Sequence, residues 1–165
     1  MPTFRRLLCA ALAAMSLLPG LAAAEPSAIY LVRHAEKMAE GKDPDLTLQG
    51  RLRAQHIAAI LRHAGITAIF STPTARTQQT AAPLAQQTGI TVQLYDPRAP
   101  KALVEKVRGL SGAVLVVGHS NTLPELVKLF GGAPGADITD DEFDRLYQLL
   151  PGAGGQVRTI LLGTP

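Results

Sequence analysis

Short apolar runs alternate along this chain with longer stretches in which apolar residues recur at helical spacing. The runs that predict buried strands are 29–32, 66–70, 91–95 and 113–117, and the helical stretches are 46–64, 74–88, 101–108 and 123–130. Two final runs, 146–149 and 157–162, flank the glycine-rich segment 151–155 and predict an antiparallel hairpin. Because strands that alternate with helices imply right-handed crossovers, we expect one α/β domain over 25–165. This domain should be a three-layer sandwich with a mostly parallel central sheet and an antiparallel edge hairpin.

The helical stretch after residue 46 carries signals for its start and for its buried face. Thr47 is of the residue type that caps a helix N-terminus with its side-chain oxygen. Leu52, Ile57, Ile60 and Leu61 recur at intervals that place them on one side of a helix. We therefore expect this side to be buried.

Polar residues follow three of the predicted strands at the point where each strand ends. The run 29–32 leads into Arg33 and His34, the run 66–70 into a Ser-Thr-Pro turn followed by Arg76, and the run 113–117 into His119 and Ser120. In open α/β sheets, ligands bind outside the carboxyl ends of the strands. We therefore expect these side chains to meet at one site.

Arg33 and His34 are residue types that suit phosphate when they lie side by side. A guanidinium group matches phosphate oxygens bidentately and stays charged. An imidazole beside a phosphoryl group can attack phosphorus and form a phosphohistidine, which water later hydrolyses. His34 alone would also suit a metal ligand, an acid or base, or a structural histidine. The pair favours phosphoryl transfer to the histidine.

The first 24 residues have the pattern of an export signal. Arg5 and Arg6 give a positive start, residues 7–21 are apolar, and the small residues 22–24 offer a cleavage site before Glu25. A retained membrane anchor is the alternative, but a proline and a glycine interrupt a run that is short for a spanning helix. We expect cleavage near Glu25, export to the periplasm and no stable membrane span in the mature protein.

Cleavage would also change the charge and the cysteine content of the chain. Removing Arg5 and Arg6 from 16 basic residues leaves 14, against 13 acidic residues. This near-neutral balance argues against general nucleic-acid binding, which needs a strongly basic face. The single cysteine, Cys9, lies in the leader, so the exported chain would fold without disulfides. The acidic cluster 140–144 predicts a solvated surface turn.

Four segments resemble motifs of the histidine phosphatase superfamily, the relatives of cofactor-dependent phosphoglycerate mutase. The sequence LVRHAE at 31–36 resembles the family's Arg-His-Gly signature, and LTLQG at 46–50 resembles its Leu-Thr-x-x-Gly helix start. Residues 71–80 resemble the second-arginine motif, and VGH at 117–119 resembles the second-histidine motif. The motifs stand in the family's order, so the chain is identified as a small exported member.

The resemblance implies a role for each candidate residue. His34 would be the phosphorylated nucleophile, Arg33 and Arg76 would hold the phosphoryl oxygens, and His119 would complete the pocket. A protonated His119 and two fixed cations would stabilise oxygens whose charge changes in the transition state. Ser120 is expected to start the next helix and to face the same anion.

The chain departs from the family pattern at two places. The glycine that follows the nucleophilic histidine is replaced by Ala35, which adds one methyl group. The residue after the second histidine is Ser120, so the aspartate that some branches use to protonate the leaving group is absent. Glu36 and Asp96 are the remaining candidates for this proton donor. Glu36 would equally suit a salt bridge with Arg33 or Lys37.

Other functions fit parts of the sequence. Residues 118–122 nearly spell the serine-hydrolase elbow with Ser120 as nucleophile, but that family places its histidine after the serine and none follows His119. A phosphate-binding or sensing module on the same fold, with little turnover, is the non-enzyme alternative. His56 and His63 have no acidic or histidine partner on neighbouring turns, so we predict no metal site.

The combined expectation is a metal-independent phosphomonoester hydrolase without a cofactor, acting through a phosphohistidine on His34. Its partner would be a small phosphorylated substrate or an exposed phosphate on a larger molecule, with a cell-envelope phosphosugar as the leading substrate. A mutase must shield its phosphoryl group from water, whereas this chain has only short loops. Hydrolysis is therefore preferred over mutase activity.

Overall fold

The computed structural model describes residues 25–165, so the expected leader 1–24 lies outside the described residues. The strands are β1 (Pro26–Arg33), β2 (Ile66–Ser71), β3 (Val92–Leu94), β4 (Gly112–Gly118), β5 (Arg145–Pro151) and β6 (Val157–Gly163). The helices are α1 (Leu48–Leu61), α2 (Ala75–Thr88), α3 (Pro100–Arg108) and α4 (Leu123–Leu129). In this part of the chain, the helices are all too short or too polar to cross a membrane.

The strands form one mixed sheet in the order β3-β2-β4-β1-β5-β6. The first four strands are parallel to one another, and β5 runs antiparallel to β1 and to β6. A short 3-10 turn, Ala153–Gly155, joins the two strands of the hairpin. The mostly parallel sheet and the antiparallel edge hairpin are thus confirmed.

Each face of the sheet carries its own apolar layer. Ile29 and Leu31 of β1 pack with α3 and α4, whereas Tyr30 and Val32 of the same strand pack with α1 and α2. Because β1 and β4 are central and covered on both faces, their sequences are apolar without interruption. The two layers of helices and the sheet make the expected three-layer sandwich.

Helix α1 begins as predicted, and its buried face matches the prediction in part. The Thr47 hydroxyl accepts a hydrogen bond from the Gly50 amide at 3.0 Å, which confirms the N-cap. Leu52 and Ile60 are 48% and 41% exposed, however, and Ala54 and Ala58 are buried in their place. Ile57 and Leu61 are buried as predicted, whereas the prediction was wrong for Leu52 and Ile60.

The close approach of α1 to its surroundings explains this difference. A Cβ atom on Gly50 would lie 2.1 Å from the carbonyl oxygen of Glu36, so the helix start rests directly on the segment after β1. Farther along, Ala58 of α1 shares a cluster with Ala81 of α2. Small residues are needed wherever the backbones come this near, so Ala54 and Ala58 share the buried face with Ile57 and Leu61, and Leu52 and Ile60 lie on the outer face.

Candidate active site

The polar segments after β1, β2 and β4 meet at the carboxyl edge of the sheet. These strands are adjacent, and Arg33 at the end of β1 is paired in register with Gly118 at the end of β4. The amide of His34 donates a 2.9 Å hydrogen bond to the carbonyl oxygen of Gly118. This bond places His34 beside His119, and their ring centroids are 5.4 Å apart.

His34 is buried and held in one tautomer. Its Nδ1 lies 2.8 Å from the carbonyl oxygen of Ala35. Because a carbonyl oxygen can only accept, Nδ1 carries the proton and the lone pair of the neutral ring lies on Nε2. Burial, with help from the positive charges of Arg33 and Arg76, lowers the pKa of His34 to about 4. The ring is therefore a neutral nucleophile at pH 7.

The alanine that replaces the family glycine fits without strain. Ala35 is fully buried in a small cluster with Leu46 and Ala54. Its amide donates a 3.0 Å hydrogen bond to the hydroxyl of Thr80 on α2, and no non-glycine residue of the described chain has a positive φ. The added methyl group thus occupies apolar space next to the nucleophile.

His119 is oriented by two buried threonines. Its Nε2 lies 3.0 Å from Oγ1 of Thr72, which in turn lies 2.9 Å from Oγ1 of Thr77. Burial and the charges of Arg76 and Arg33 lower the pKa of His119 to about 4. His119 is therefore neutral at pH 7, and the negative charge of a bound anion would raise its pKa.

Arg33 is held by hydrogen bonds from one of its nitrogens, while another of its nitrogens has no acceptor. It is 6% exposed, and its Nη1 donates to the carbonyl oxygens of Thr139 and Glu142, both at 2.8 Å. Its guanidinium carbon lies 4.1 Å from the centroid of the Phe143 ring. Its Nε is buried and has no hydrogen-bond partner. One N–H group of this cation thus lacks an acceptor.

Arg76, in the first turn of α2, provides a second guanidinium group with an N–H that has no acceptor. Its Nη1 lies 3.5 Å from Oδ1 of Asp43, and the same carboxylate accepts the Ala75 amide at 3.0 and 2.9 Å. The Nε of Arg76 is also buried without a partner. Among the described residues, these two Nε atoms are the buried side-chain nitrogens or oxygens that lack a hydrogen bond. Since such groups are costly to bury unpaired, both Nε atoms are donors suited to an anionic ligand.

A cavity of about 440 Å³ opens over these groups. His34, Arg76, His119 and Ser120 line it, whereas Arg33 is not one of its lining residues. Lys37 and Arg98 add two exposed cations at its edge. The cavity can therefore hold a phosphoryl group against His34 with room for part of the molecule that carries it.

Glu36 does not reach this cavity. Its carboxylate accepts three hydrogen bonds of 2.7 to 3.0 Å from Arg53 on α1. Burial alone would raise the pKa of Glu36, but the hydrogen bonds from Arg53 outweigh it and hold the pKa below its usual value. An ionised carboxylate tied to a guanidinium is a poor acid. The structure thus favours the salt-bridge alternative over a proton-donor role, but the expected partners were wrong, since the salt bridge is made with Arg53 and not with Arg33 or Lys37.

Asp96, the other candidate donor, lies near the mouth of the cavity. It precedes Pro97 and Arg98, which line the cavity, and hydrogen bonds from Arg98 lower the pKa of its exposed carboxyl. Its role stays a prediction.

Ser120 lies in a turn before α4, which begins at Leu123 with Thr122 as its cap. The expectation that Ser120 starts this helix was therefore wrong. Within residues 25–165, the side-chain hydrogen bonds of His34 and His119 go to Ala35 and Thr72, so neither ring activates Ser120. The described chain also contains no group of three or more histidine, cysteine or acidic residues placed to hold a metal ion.

The acidic cluster 140–144 contributes to the site in a way that its sequence did not predict. It was expected to be a solvated turn, yet it supplies the Glu142 carbonyl and the Phe143 ring that hold Arg33. The available signal was Phe143 itself, an aromatic residue among acidic ones. Thr72 was also missed as the partner of His119.

The low pKa values of the two site histidines predict a pH-dependent stability. In the folded protein both pKa values are about 4, below the usual 6.5, so the unfolded chain binds more protons between these pH values. The free energy of unfolding should therefore fall as the pH is lowered from 7 through about 5, measured by urea denaturation. A His34→Gln/His119→Gln double variant should show a shallower slope. An unchanged slope would contradict the assignment of neutral histidines.

Comparisons with known proteins agree with this geometry. The sequence profile described as "Histidine phosphatase superfamily (branch 1)" matches residues 29–98. Proteins named "Probable phosphoglycerate mutase GpmB" are 36% identical in Enterobacter sp. (strain 638) and 39% in Escherichia fergusonii, over 104 residues and 59% of this chain. The match spans only 44% of the length of these relatives.

Solved structures of low sequence identity share the fold. A protein histidine phosphatase SixA in complex with tungstate is 16% identical, with a TM-score of 0.65 over 82% of this chain and 96% of that one. A mycobacterial glucosyl-3-phosphoglycerate phosphatase with inorganic phosphate is 16% identical, with a TM-score of 0.62 over 82% and 95%. The profile match contains Arg33, His34 and Arg76, and the fold adds His119 to them. Residues 29–98 of this chain are thus similar to branch 1 of the histidine phosphatase superfamily.

Proposed function

We propose that this protein is a phosphomonoester hydrolase that works through a phosphohistidine on His34. The observation that carries the proposal is the pair of buried, unpartnered Nε atoms of Arg33 and Arg76 beside a neutral histidine. Two guanidinium groups without acceptors fit the oxygens of a phosphoryl group. A free Nε2 on His34 fits the attacking atom.

The geometry supports a two-step reaction. In the first step, Nε2 of His34 attacks phosphorus, the bond from phosphorus to the ester oxygen breaks, and the alcohol leaves. In the second step, water attacks phosphorus, the P–N bond breaks, and inorganic phosphate and the free imidazole are released. Arg33 and Arg76 hold the oxygens throughout, and His119 stabilises the charge that shifts onto them.

The structure identifies fewer groups that could act on the leaving alcohol than on the phosphoryl group. Because Glu36 is tied to Arg53, the remaining carboxyl candidate for its protonation is Asp96. A leaving group that is a weak base departs without help from an acid. We therefore expect aryl phosphates to be cleaved more readily than simple alkyl phosphates.

Hydrolysis of a chromogenic aryl phosphate tests the proposal. Activity should survive a chelator, since the proposed steps need no metal ion, and vanadate should inhibit it by occupying the phosphoryl position between Arg33 and Arg76. Enzyme assayed with added divalent metal is the control. Activity that depends on added metal, or that vanadate leaves unchanged, would reject the mechanism.

A phosphate-binding module with little turnover is the second candidate function. It is favoured by one observation, namely that Glu36 is engaged elsewhere and leaves the cavity without an evident acid. The two functions differ in a covalent bond. The hydrolase forms acid-labile phosphate on His34 when mixed rapidly with a phosphoryl donor, whereas the binding module remains unlabelled.

We propose a phosphate on a cell-envelope sugar as the substrate. The cavity is open to solvent, which suits a phosphate that projects from a larger molecule. Lys37 and Arg98 at its edge suit a substrate with further negative charge. A screen of phosphosugars, nucleotides and phosphoproteins tests this, and a clear preference for either of the last two classes would contradict it.

Export is a separate proposal that depends on the leader. Residues 1–24 have the composition of a signal peptide, and cleavage before Glu25 would release the domain into the periplasm. The full-length chain, expressed in a bacterium with two membranes, should be recovered from the periplasmic fraction. Mass spectrometry of the purified protein should then find Glu25 as its first residue. An intact leader on protein in the cytoplasmic fraction would reject this proposal.

A further inference from the structure

The loop between α4 and β5 reaches back to the end of β1. Residues 134–143 of this loop, here called the bracket, provide the two carbonyl oxygens that accept from Nη1 of Arg33. They also provide the Phe143 ring, 4.1 Å from the guanidinium carbon. The centroid of this ring is 6.1 Å from that of His34, so the bracket touches both halves of the Arg33-His34 pair.

The bracket is fixed to the sheet by side chains of β5. Arg145 donates to the carbonyl oxygen of Ala136 at 2.6 Å and forms an ion pair with Glu142. The hydroxyl of Tyr147 donates to the carbonyl oxygen of Pro134 at 2.8 Å. Tyr147 itself is buried in the apolar core. The position of Phe143 is therefore set by the rigid part of the fold.

These contacts restrain Arg33 without using all of its donors. A long arginine side chain otherwise has many rotamers, and holding it in one of them costs conformational entropy. The bracket fixes one nitrogen through neutral carbonyl oxygens and one face of the guanidinium through the ring. Nε stays unpartnered. A carboxylate in place of the carbonyl oxygens would compete with phosphate for the same charge.

We propose that Phe143 is a positioning residue, which holds the guanidinium of Arg33 ready for the phosphoryl group. The proposal rests on the proposed function for the identity of the ligand. Phe143 makes no bond to phosphate and acts through Arg33. It is partly exposed, so its replacement leaves the core intact.

A leucine at this position keeps apolar bulk but loses the aromatic face. Phe143→Leu should therefore weaken vanadate inhibition and lower kcat/KM by about tenfold each, the size expected for a partly buried cation–π contact. Phe143→Tyr keeps the ring and should remain within about twofold of the wild type. Both variants should unfold at the wild-type temperature, monitored by circular dichroism. A Phe143→Leu enzyme with unchanged vanadate inhibition would overturn the proposal.

Dependence on Arg33 is tested by combining the substitutions. In an Arg33→Met background, where the cation is absent, Phe143→Leu should have no further effect on kcat/KM. Independent, multiplying effects would show that Phe143 does not act through Arg33. Titration calorimetry with inorganic phosphate measures the effect of Phe143→Leu on phosphate affinity in the same two backgrounds, without catalysis. If the wild type binds phosphate but hydrolyses no ester, the proposed function fails, whereas weaker phosphate binding by Phe143→Leu still supports the positioning role.

Discussion

His34→Ala is expected to lower kcat for aryl phosphate hydrolysis by about 10⁴-fold or more, since it removes the nucleophile itself. The loss should appear in kcat, because Arg33 and Arg76 still bind the phosphate of the substrate. Acid-quenched enzyme should carry phosphate in the wild type and none in the variant. Steady-state kinetics and mass spectrometry of quenched samples provide the measurements.

A matched control is available on the surface of the same protein. His63 is exposed and precedes the amino end of β2, whereas the cavity lies at the carboxyl ends of the strands, so His63→Ala should retain wild-type kcat and labelling. If His34→Ala kept more than about a tenth of the activity, water rather than His34 would be the attacking group, and the phosphohistidine mechanism would be rejected.

Arg76→Ala should reduce kcat/KM by about 10² to 10³-fold, because it removes a fixed cation from oxygens whose charge shifts in the transition state. Arg76→Lys should recover part of this loss, since lysine restores the charge but not the two-pronged contact. Vanadate inhibition should weaken in the same order. The folded state should tolerate both changes, because the recorded side-chain partner of Arg76 is Asp43 at 3.5 Å.

Arg62→Ala is the matched control for the loss of an arginine. Arg62 is the exposed C-cap residue of α1, so its removal changes the net charge equally without touching the cavity. Its kcat/KM should stay within about twofold of the wild type. Equal losses in Arg62→Ala and Arg76→Ala would mean that general charge, and not a direct contact, guides the substrate.

The parts of the site that lie at strand ends could be predicted from the sequence. Uninterrupted apolar runs identify buried parallel strands, and the rules for such sheets place their carboxyl ends along one edge. Arg33, His34 and His119 follow the ends of these runs closely. Their proximity could therefore be predicted without knowing the structure of the loops. The Thr47 cap was predictable for the same reason, because it depends on neighbours within one turn.

The parts that depend on distant loops could not be predicted. The hydrogen bonds of Arg33 to the bracket join residues 106 and 109 positions apart, and no local periodicity encodes such contacts. The salt bridge of Glu36 could not be predicted for the same reason, because its partner Arg53 becomes a neighbour only when α1 packs on the segment after β1. Leu52 and Ile60 fit the same helical pattern as the buried Ile57 and Leu61, but close backbone packing places small residues on the rest of the buried face.

The hydrogen bond from His34 to Gly118 also has a consequence for folding. It joins positions 34 and 118 across two central, parallel strands, so the nucleophile is in place only after a loop of more than 80 residues has closed. Long-range parallel pairing of this kind forms slowly. Partly folded chains that already contain α1 and α2 would still lack a phosphate site. Recovery of phosphate binding during refolding would therefore report completion of the whole topology.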